Sequence, residues 1–434
     1  MDFCLQAISE HKSSAQYKRA KIAEEYFRGI NTTITTVDKF ITDVFGRKIR
    51  DVWSPNHKIK CHLYPYFIIQ QTLFLLGNGI SFSDKNTLEK LGDKFERKVL
   101  NLAINALNGG EAFGFWNLDH LEEFNITEFK PLLDEETGRL CAGIRYWQLD
   151  SDKPLRITLF EPDGYTEYIQ KKGEKIAIFE EKKPYVRIIS TSATGQNIAP
   201  GELYPGLPII PLQNYGGESA LYGSRESIDA YDLMISKLVN NIDNSEFIYW
   251  IIKNAPGMDE IDLQEFLQRL KTSGIVATGE GQEVDAHSVQ IPFEASESAL
   301  ALLKKQLFAD FMAFDPQSVT GGANTATQII ASYEPLNAKT DLLEYQVTEF
   351  ITSLLKLIGI DDKPTYTRSM IINQQEEIQT ILSSAEYLDN DYITRKLLYI
   401  LGDADKADEV LERKLAEEME RFAAENEPTE TGVE

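Results

Sequence analysis

Two stretches in the second half of the chain carry apolar residues at helical spacing. Apolar side chains stand at positions 228, 231, 235, 238 and 242, a seven-residue repeat that predicts a helix over 226–254 with a partner helix along its apolar side. The part 226–252 would be roughly 40 Å long. A second helix is predicted over 296–314, and the insert 255–295 between them predicts a helix (IDLQEFLQRLKTS) and a hairpin of GIVATGEGQE with EVDAHSVQIPFE. We therefore expect a projecting helix pair with a small α+β tip.

The region before this pair has a different pattern. Short alternating runs of β-branched and aromatic residues, such as LRITLFE and YVRIIS, fill 111–213 between Asp-Gly, Lys-Gly and Pro turns. They predict a meandering antiparallel sheet. Helices are predicted over most of 15–45 and over LEKLGDKFERKVLNLAINALN, which Gly109 and Gly110 should end. An apolar element at 64–76 precedes that second helix.

The region after the pair begins with a loop, 315–327, that is rich in Gly, Ser and Thr and nearly free of charge. A long helix is predicted from about 325 to 357, and Pro335 should kink it because proline removes a backbone donor. A short strand (PTYTRSMIIN) and charged helices over 373–424 follow. Residues 425–434 have the composition of a disordered acidic tail.

The charge of the chain limits the ways in which it can meet nucleic acid. Its 68 acidic and 44 basic residues give a net charge of −24, whereas proteins that grip DNA usually present surplus Lys and Arg. Any DNA contact should therefore be weak or deliberately non-adhesive, although an acid excess also simply aids solubility. The three cysteines form no framework, and we find no signal peptide and no membrane span, so we expect the protein to be cytosolic when made.

The sequence carries no catalytic signature. It lacks G-x-x-x-x-G-K-[ST], H-E-x-x-H and G-x-S-x-G, so neither an ATPase motor nor a common hydrolase is indicated. His57, Cys61 and His62 cluster within six residues, but a fourth ligand at the usual spacing is missing. We predict no catalytic residue, no metal, no cofactor and no membrane partner.

Three segments carry a resemblance to a known family. They are GLPIIPLQNYGGESALYGSRESIDAYDLMISKLVNNIDNSEFIYW, QSVTGGANTATQIIASYEPLNAKTDLLEYQVTEFITSLLKLIGI and, more weakly, NHKIKCHLYPYFIIQQTLFLLGNGISF. In content and order they resemble the portal, or head–tail connector, proteins of tailed phages, especially of Gram-positive siphophages. The resemblance implies an α+β, mainly helical subunit with an α/β wing, a two-helix stem, a small α+β clip and a helical crown.

The resemblance also implies where these regions lie. An N-terminal helical segment would cover 1–53, the wing 54–225 with 328–372, the stem 226–254 and 296–314, the clip 255–295, the tunnel loop 315–327 and the crown 373–424. About twelve subunits would form a ring at one capsid vertex of the virion, through which double-stranded DNA passes without sequence readout. Other expected partners are the large terminase motor, a head–tail adaptor, and the scaffold and major capsid proteins.

The candidate DNA-channel residues follow from this assignment. In the tunnel loop they are Gln317, Ser318, Thr320, Gly321, Gly322, Asn324 and Thr325. Small uncharged side chains can bond phosphate transiently without long-range attraction, although the same composition also suits an ordinary linker. Lys253, Lys304 and Lys305 are possible basic channel residues, with Lys304 predicted to face the channel. Surface lysines on amphipathic helices are usually only solvated.

Two alternatives from other classes stay open at this point. The first is a cytosolic helical scaffold that oligomerises without handling DNA. The second is a DNA-processing enzyme with unrecognised chemistry. Imaging separates the first from a portal, because portals give rings with a central hole, and metal-dependent cleavage of plasmid DNA would support the second.

Overall fold

The structure, a computed structural model, describes residues 2–42, 47–51, 54–84, 86–185, 204–245, 248–253, 283–288, 293–318, 326–369, 374–401, 403 and 406–425. The helices are α1 Asp2–Ser13, α2 Ala15–Phe27, α3 Thr32–Thr35, α4 Leu63–Leu76, α5 Asn86–Leu91, α6 Phe95–Gly109, α7 Arg225–Ser245, α8 Phe293–Asp310, α9 Ala326–Ile358, α10 Gln374–Ser383, α11 Asn390–Leu401 and α12 Ala407–Glu425. The strands are β1 Phe40–Thr42, β2 Lys48–Arg50, β3 Ile80–Phe82, β4 Glu111–Asn117, β5 His120–Asn125, β6 Phe129–Leu133, β7 Leu140–Trp147, β8 Leu155–Glu161, β9 Gly164–Gln170, β10 Ala177–Lys183, β11 Ile209–Gln213, β12 Ile248–Lys253, β13 Glu283–Ser288 and β14 Pro364–Tyr366. The predicted α+β, mainly helical class is confirmed.

The main apolar core lies around α6. This helix packs against α2 and α4 on one side and against β4, β5 and β11 on the other. Its buried face carries Phe95, Val99, Leu102 and Leu107 at helical spacing. Gly110 follows with a φ of 84°, a left-handed conformation that ends the helix where the glycine pair predicted an end.

Within the described residues 111–185 and 204–213 the predicted antiparallel meander is present, but it forms two sheets. The predicted strand YVRIIS lies, after its first residue, outside the described residues. The larger sheet has the order β10-β9-β8-β7-β6, and every neighbouring pair is antiparallel. The smaller sheet has the order β11-β4-β5, so the last strand of the region returns to pair with the first. The Phe129 ring lies so close to Gly143 that a Cβ there would be 2.0 Å from Phe129 Cζ. Position 143 in β7 therefore has no room for a side chain.

The N-terminal prediction was wrong in its second half. Most of 15–45 was expected to be helical, and α2 confirms the first part of that expectation. After the short α3, however, Phe40–Thr42 forms a strand that pairs with Lys48–Arg50. The pattern TTVDKFITDVFGRK contains several β-branched residues, whose stiff side chains fit a strand at least as well as a helix.

The first predicted long helix was too long. Helix α7 ends at Ser245, and residues 248–253 form β12, which pairs antiparallel with Glu283–Ser288. The segment IYWIIK is β-branched and aromatic, and that composition favours a strand over a helix. The strand predicted around 283–288 is confirmed, whereas its predicted partner GIVATGEGQE and the helix IDLQEFLQRLKTS lie outside the described residues. Helix α8 confirms the second helix, which ends at Asp310 rather than at 314.

The chain divides into two compact units. Unit 1 comprises Met1–Ala313 and Leu336–Ser369, and unit 2 comprises Phe314–Pro335 and Met370–Glu434. Helix α9 continues through Pro335, and the division between the units falls directly after this proline. The predicted strand after 359 is β14, which pairs with β3, and the helices predicted over 373–424 are α10 to α12. The acidic tail after Glu425 lies outside the described residues.

Candidate functional site

The buried side of α7 is polar along most of its length. The side chains buried along it are Ile228, Asp232, Ser236 and Asn240, at a spacing of four residues. The last three hydrogen-bond to the backbone of residues 57–61, which run antiparallel to the helix. We call this set of bonds the polar ladder.

Each rung of the polar ladder joins one side chain of α7 to one backbone N–H. Asp232 Oδ1 accepts from Cys61 N at 3.0 Å, Ser236 Oγ from Ile59 N at 2.9 Å, and Asn240 Oδ1 from His57 N at 2.7 Å. Asn240 Nδ2 also donates to the His57 carbonyl at 3.2 Å. Two residues of extended chain span about 6.6 Å and four residues of helix about 6 Å. This near match lets every second residue of the segment reach every fourth residue of the helix.

The first turns of α7 are also held by polar contacts. Asn31 Nδ2 donates to Asp232 Oδ2 at 2.9 Å, and the Tyr26 hydroxyl donates to Asp229. Arg225 Nη2 donates to Thr33 Oγ1 at 3.0 Å. These bonds fix the start of the long helix against the turn between α2 and α3.

Burial changes the acidity of two groups in the ladder. It raises the pKa of the Cys61 thiol to about 11, and the neighbouring Asp232 adds to the shift. Burial also raises the pKa of Asp232. Hydrogen bonds from Asn31 and Cys61 offset only part of this increase. A thiol with a raised pKa stays protonated at neutral pH and is therefore a poor nucleophile.

Sequence reasoning missed the polar ladder. It selected the apolar positions 231, 235, 238 and 242, of which the first three are half-buried and Ile242 is exposed. The signal that could have found the ladder is the series Asp232, Ser236 and Asn240, three short hydrogen-bonding side chains on one side of a helix.

His57 and His62, from the cluster that the sequence suggested as metal ligands, make other contacts in the fold. His57 Nε2 lies 2.6 Å from Asp243 Oδ2, and the His62 ring lies directly beside Gly29. Among the described residues, no group of three or more His, Cys, Asp and Glu side chains is arranged to hold a metal ion.

The residues just after α8 contact α4 through aromatic rings and α9 through a lysine. The Phe311 ring stacks on Phe67 with centroids 4.5 Å apart, and Tyr64 meets Phe311 edge to face. Lys339 Nζ donates to the Phe311 carbonyl at 2.9 Å. Burial of this amine lowers its pKa to about 8. Met312 then adopts a φ of 48°, so the chain turns sharply where α8 ends.

The predicted tunnel loop is described only at its ends. Asp315 Oδ1 accepts from Gln317 N at 3.0 Å and caps a 3₁₀ turn over Pro316–Ser318. The Phe314 and Tyr333 rings are both buried and stack with centroids 4.0 Å apart. Gln317 is exposed. The predicted channel residues Thr320, Gly321, Gly322, Asn324 and Thr325 lie outside the described residues.

The predicted basic residues do not lie on one element. Lys253 is the last residue of β12, and not the end of a stem helix as expected. Lys304 is half-buried and Lys305 is exposed, both on α8. That Lys304 faces a channel stays a prediction. No helix in the described part of the chain is long and apolar enough to span a membrane.

A model of one protein family matches almost the whole chain. The family is described as "Phage portal protein, SPP1 Gp6-like", and the match covers residues 6–431. The chain belongs to this family of phage portal proteins.

Two curated portal proteins are similar to this chain over most of their length. The portal protein of Clostridium phage phiCD119 is 27% identical over 380 residues, which cover 80% of this chain and 81% of the relative. The portal protein of Bacillus phage SPP1 is 22% identical over 376 residues, which cover 78% of this chain and 72% of the relative.

Solved structures also match, at a lower level of similarity. The neck of a native gene transfer agent particle, computed with C12 symmetry, matches with a TM-score of 0.41 and 12% identity over 76% of this chain and 87% of that one. The neck of the empty particle, computed with C6 symmetry, gives the same TM-score over 77% and 88%.

The family decides between the classes of function left open by the sequence. A portal protein is a structural subunit of the channel at a capsid vertex, which confirms the predicted function. A cytosolic scaffold that leaves DNA alone is not favoured. Since portal proteins are structural proteins, the family also favours a role without catalysis.

Proposed function

We propose that this portal protein assembles as a closed ring of about twelve subunits, through which double-stranded DNA passes during packaging and ejection. The observation that carries the proposal is the family match over residues 6–431. The ring would lie at one vertex of the virion capsid after assembly in the host cytoplasm.

The helix pair supports the proposal physically. Helices α7 and α8 pack against each other and are joined through the β12–β13 ribbon, as expected for a two-helix stem with a clip. The apolar side chains of Tyr231, Ile235 and Leu238 on α7 are only half-buried in a single subunit. Tyr231 packs against the main core of its own subunit, so in the proposed ring a neighbouring subunit would cover what stays exposed of Ile235 and Leu238.

The charge of the chain supports a passage that does not hold DNA. Each Lys or Arg bound to a phosphate releases counterions and favours retention, and this chain has a net charge of −24. Helix α8 itself carries Glu294, Glu297 and Asp310 against Lys304 and Lys305. A lining of this kind would repel the phosphates on balance while it allows brief contacts at the lysines.

The remaining partners follow from the same proposal. The ring would bind the large terminase motor during packaging and a head–tail adaptor afterwards. During assembly it would contact the scaffold and major capsid proteins. The loop 315–327 would line the channel, and its residues toward the DNA would be Gln317, Ser318, Thr320, Gly321, Gly322, Asn324 and Thr325.

Assembly of the purified full-length chain tests the proposal. Electron microscopy should show rings with a central hole, and sedimentation should give one large species at micromolar concentration. A stable monomer under these conditions would contradict the ring. Rings without a hole wide enough for a DNA duplex would contradict the channel but not the assembly.

A further inference from the structure

A small pocket lies between α2, the end of α6 and the turn that joins β5 to β6. Three asparagines line it, Asn105 and Asn108 from α6 and Asn125 from β5. Thr127 in the turn adds a hydroxyl, and Phe27 of α2 adds an aromatic ring. We call this the amide pocket, because three carboxamide side chains line it.

Two of the three carboxamides are not fully used by the fold. Asn108 is only 8% exposed, yet its Oδ1 has no hydrogen-bond partner among the described residues. Asn125 Oδ1 is also buried and has no such partner. Buried polar atoms are nearly always paired, so two unpaired amides at one pocket indicate a group that the chain itself does not supply. A half-turn of the side chain exchanges the O and N ends of an amide, so each amide can turn a donor or an acceptor toward that group.

The charge of the lining favours a neutral ligand. Among the described residues that line the pocket, only Glu24 and Arg28 are charged, and they form an ion pair with each other. A phosphate or a metal ion would find no uncompensated charge there, and a buried charge without a partner is unfavourable.

The volume of the pocket limits the size of the ligand. It is about 250 Å³, which is the liquid volume of about eight water molecules. Sites for drug-sized ligands measure about 300–1,000 Å³. A single planar ring system therefore fits, whereas a larger molecule would extend out of the pocket.

The chemistry of a carboxamide points to one kind of ring. A carboxamide is planar and offers one acceptor beside two donors. The edge of adenine matches it, because an amino group and a ring nitrogen lie side by side and both bond to one asparagine. Phe27 is only half-buried, and bases stack on aromatic rings. An amide side chain of a bound peptide offers a similar edge, but it has no ring to stack and leaves most of the volume unfilled.

We infer that the amide pocket binds an adenine base, with its ribose outside at the rim beside the exposed Arg28. The bases of a duplex are stacked and cannot enter a pocket, so the source is a free adenine nucleoside or an unpaired base of single-stranded DNA. This binding needs neither a ring nor a channel, so it stands or falls separately from the proposed function.

The first test is equilibrium dialysis of the full-length protein against adenosine. We expect saturable binding of one adenosine per chain, and at least about tenfold weaker binding of purine riboside, the same molecule without its amino group. No saturable binding at millimolar adenosine would mean that the pocket holds only water, and would overturn the inference. Equal binding of purine riboside would overturn it as well.

Competition with adenosine identifies the source of the base. Displacement by an oligodeoxyadenylate, but not by an oligodeoxythymidylate of equal length, would support adenine binding with single-stranded DNA as the source. Displacement by neither would support adenine binding with the free nucleoside as the source. Displacement by glutamine at the same concentration as adenosine would overturn the inference, because the pocket would then accept any amide.

The second test uses Asn108→Leu, which replaces the amide by an apolar side chain of similar shape. We expect at least about tenfold weaker adenosine binding. Because the Asn108 oxygen has no partner in the fold, the variant should melt at a temperature no lower than the wild type without ligand. Asn241→Leu is the matched control, since Asn241 is exposed on α7, and it should bind adenosine like the wild type. Unchanged binding by Asn108→Leu would overturn the inference. A lower melting temperature of this variant would also overturn it, because Asn108 would then serve the fold itself.

Discussion

Helices α6 and α7 are both long and amphipathic, yet the fold holds them by different forces. The buried side of α6 is a continuous row of apolar side chains that includes Phe95, Val99 and Leu102. The buried side of α7 becomes polar after Ile228, and its rungs bind the backbone of another segment. Apolar burial stabilises in proportion to area and has no direction, whereas a hydrogen bond requires a defined position of donor and acceptor.

This difference suits the two helices to different tasks. Helix α6 holds the body of unit 1 together, where the total buried area decides stability. Helix α7 needs a fixed rotation and register, because a shift by one residue along segment 57–61 would break every rung. With its polar side fixed in this way, α7 packs Tyr231 against the main core and leaves Ile235 and Leu238 half-buried.

The largest loss of stability is expected from a substitution in the apolar face of α6. Leu102→Ala removes a fully buried side chain from α6 and leaves a cavity, so it should lower the free energy of unfolding by about 2–5 kcal/mol. Chemical denaturation of the variant against the wild type measures this loss. Leu149→Ala is the control and should change stability by less than about 0.5 kcal/mol. A loss at position 102 no greater than that of the control would mean that α6 is not held by its apolar face.

A smaller loss of stability is expected from a substitution in the polar ladder. Ser236→Ala removes the acceptor of the Ile59 N–H without creating a large cavity, and an unsatisfied buried donor costs about 1–3 kcal/mol. Asn241→Ala is the matched control, since Asn241 is exposed on the same helix. The variant should also show faster amide hydrogen exchange at residues 57–61. Unchanged exchange there would show that the rungs do not hold the segment.

The sequence predicts α6 well because its signals agree. The apolar spacing, the glycine pair at the end and the position before the sheet all indicate one helix. The same reasoning fails at the end of α7, where the predicted helix was extended past Ile242 into the apolar run IYWIIK although those residues form β12. Apolar residues at helical spacing and a fully apolar strand cannot be distinguished over six residues by periodicity alone.

The partner of the polar ladder could not be predicted, although the series of short polar side chains on α7 is visible in the sequence. Asp232, Ser236 and Asn240 are ordinary surface residues by type, and only contact with a segment some 170 residues earlier makes them buried. A pattern within one helix does not record such a partner. The predicted channel residues after Ser318 remain predictions, since they lie outside the described residues.

A polar group in apolar surroundings gives the third prediction. Lys339 is ionised less easily in the fold, with a pKa of about 8, than in the unfolded chain, where it is about 10.4. The unfolded state therefore binds more protons above pH 8, and this group makes stability rise with pH between about 8 and 10. Relative to Lys339→Met, the wild type should gain about 1 kcal/mol from pH 7 to pH 9. A pH-independent difference between the two proteins would mean that the amine is not buried beside Phe311.

The smallest effect is expected at the end of the ladder. His57 joins it in two ways, through its backbone N–H to Asn240 Oδ1 and through its ring to Asp243 at 2.6 Å. The ring pair is roughly half exposed, and such pairs contribute about 0–1 kcal/mol, so His57→Gln should cost less than about 1 kcal/mol. Asn240→Ala, which removes the partner of the backbone N–H, should cost more in the same denaturation experiment. If instead His57→Gln were the more harmful change, charged side chains at the rim would hold α7, and the backbone bonds that set it apart from α6 would be secondary.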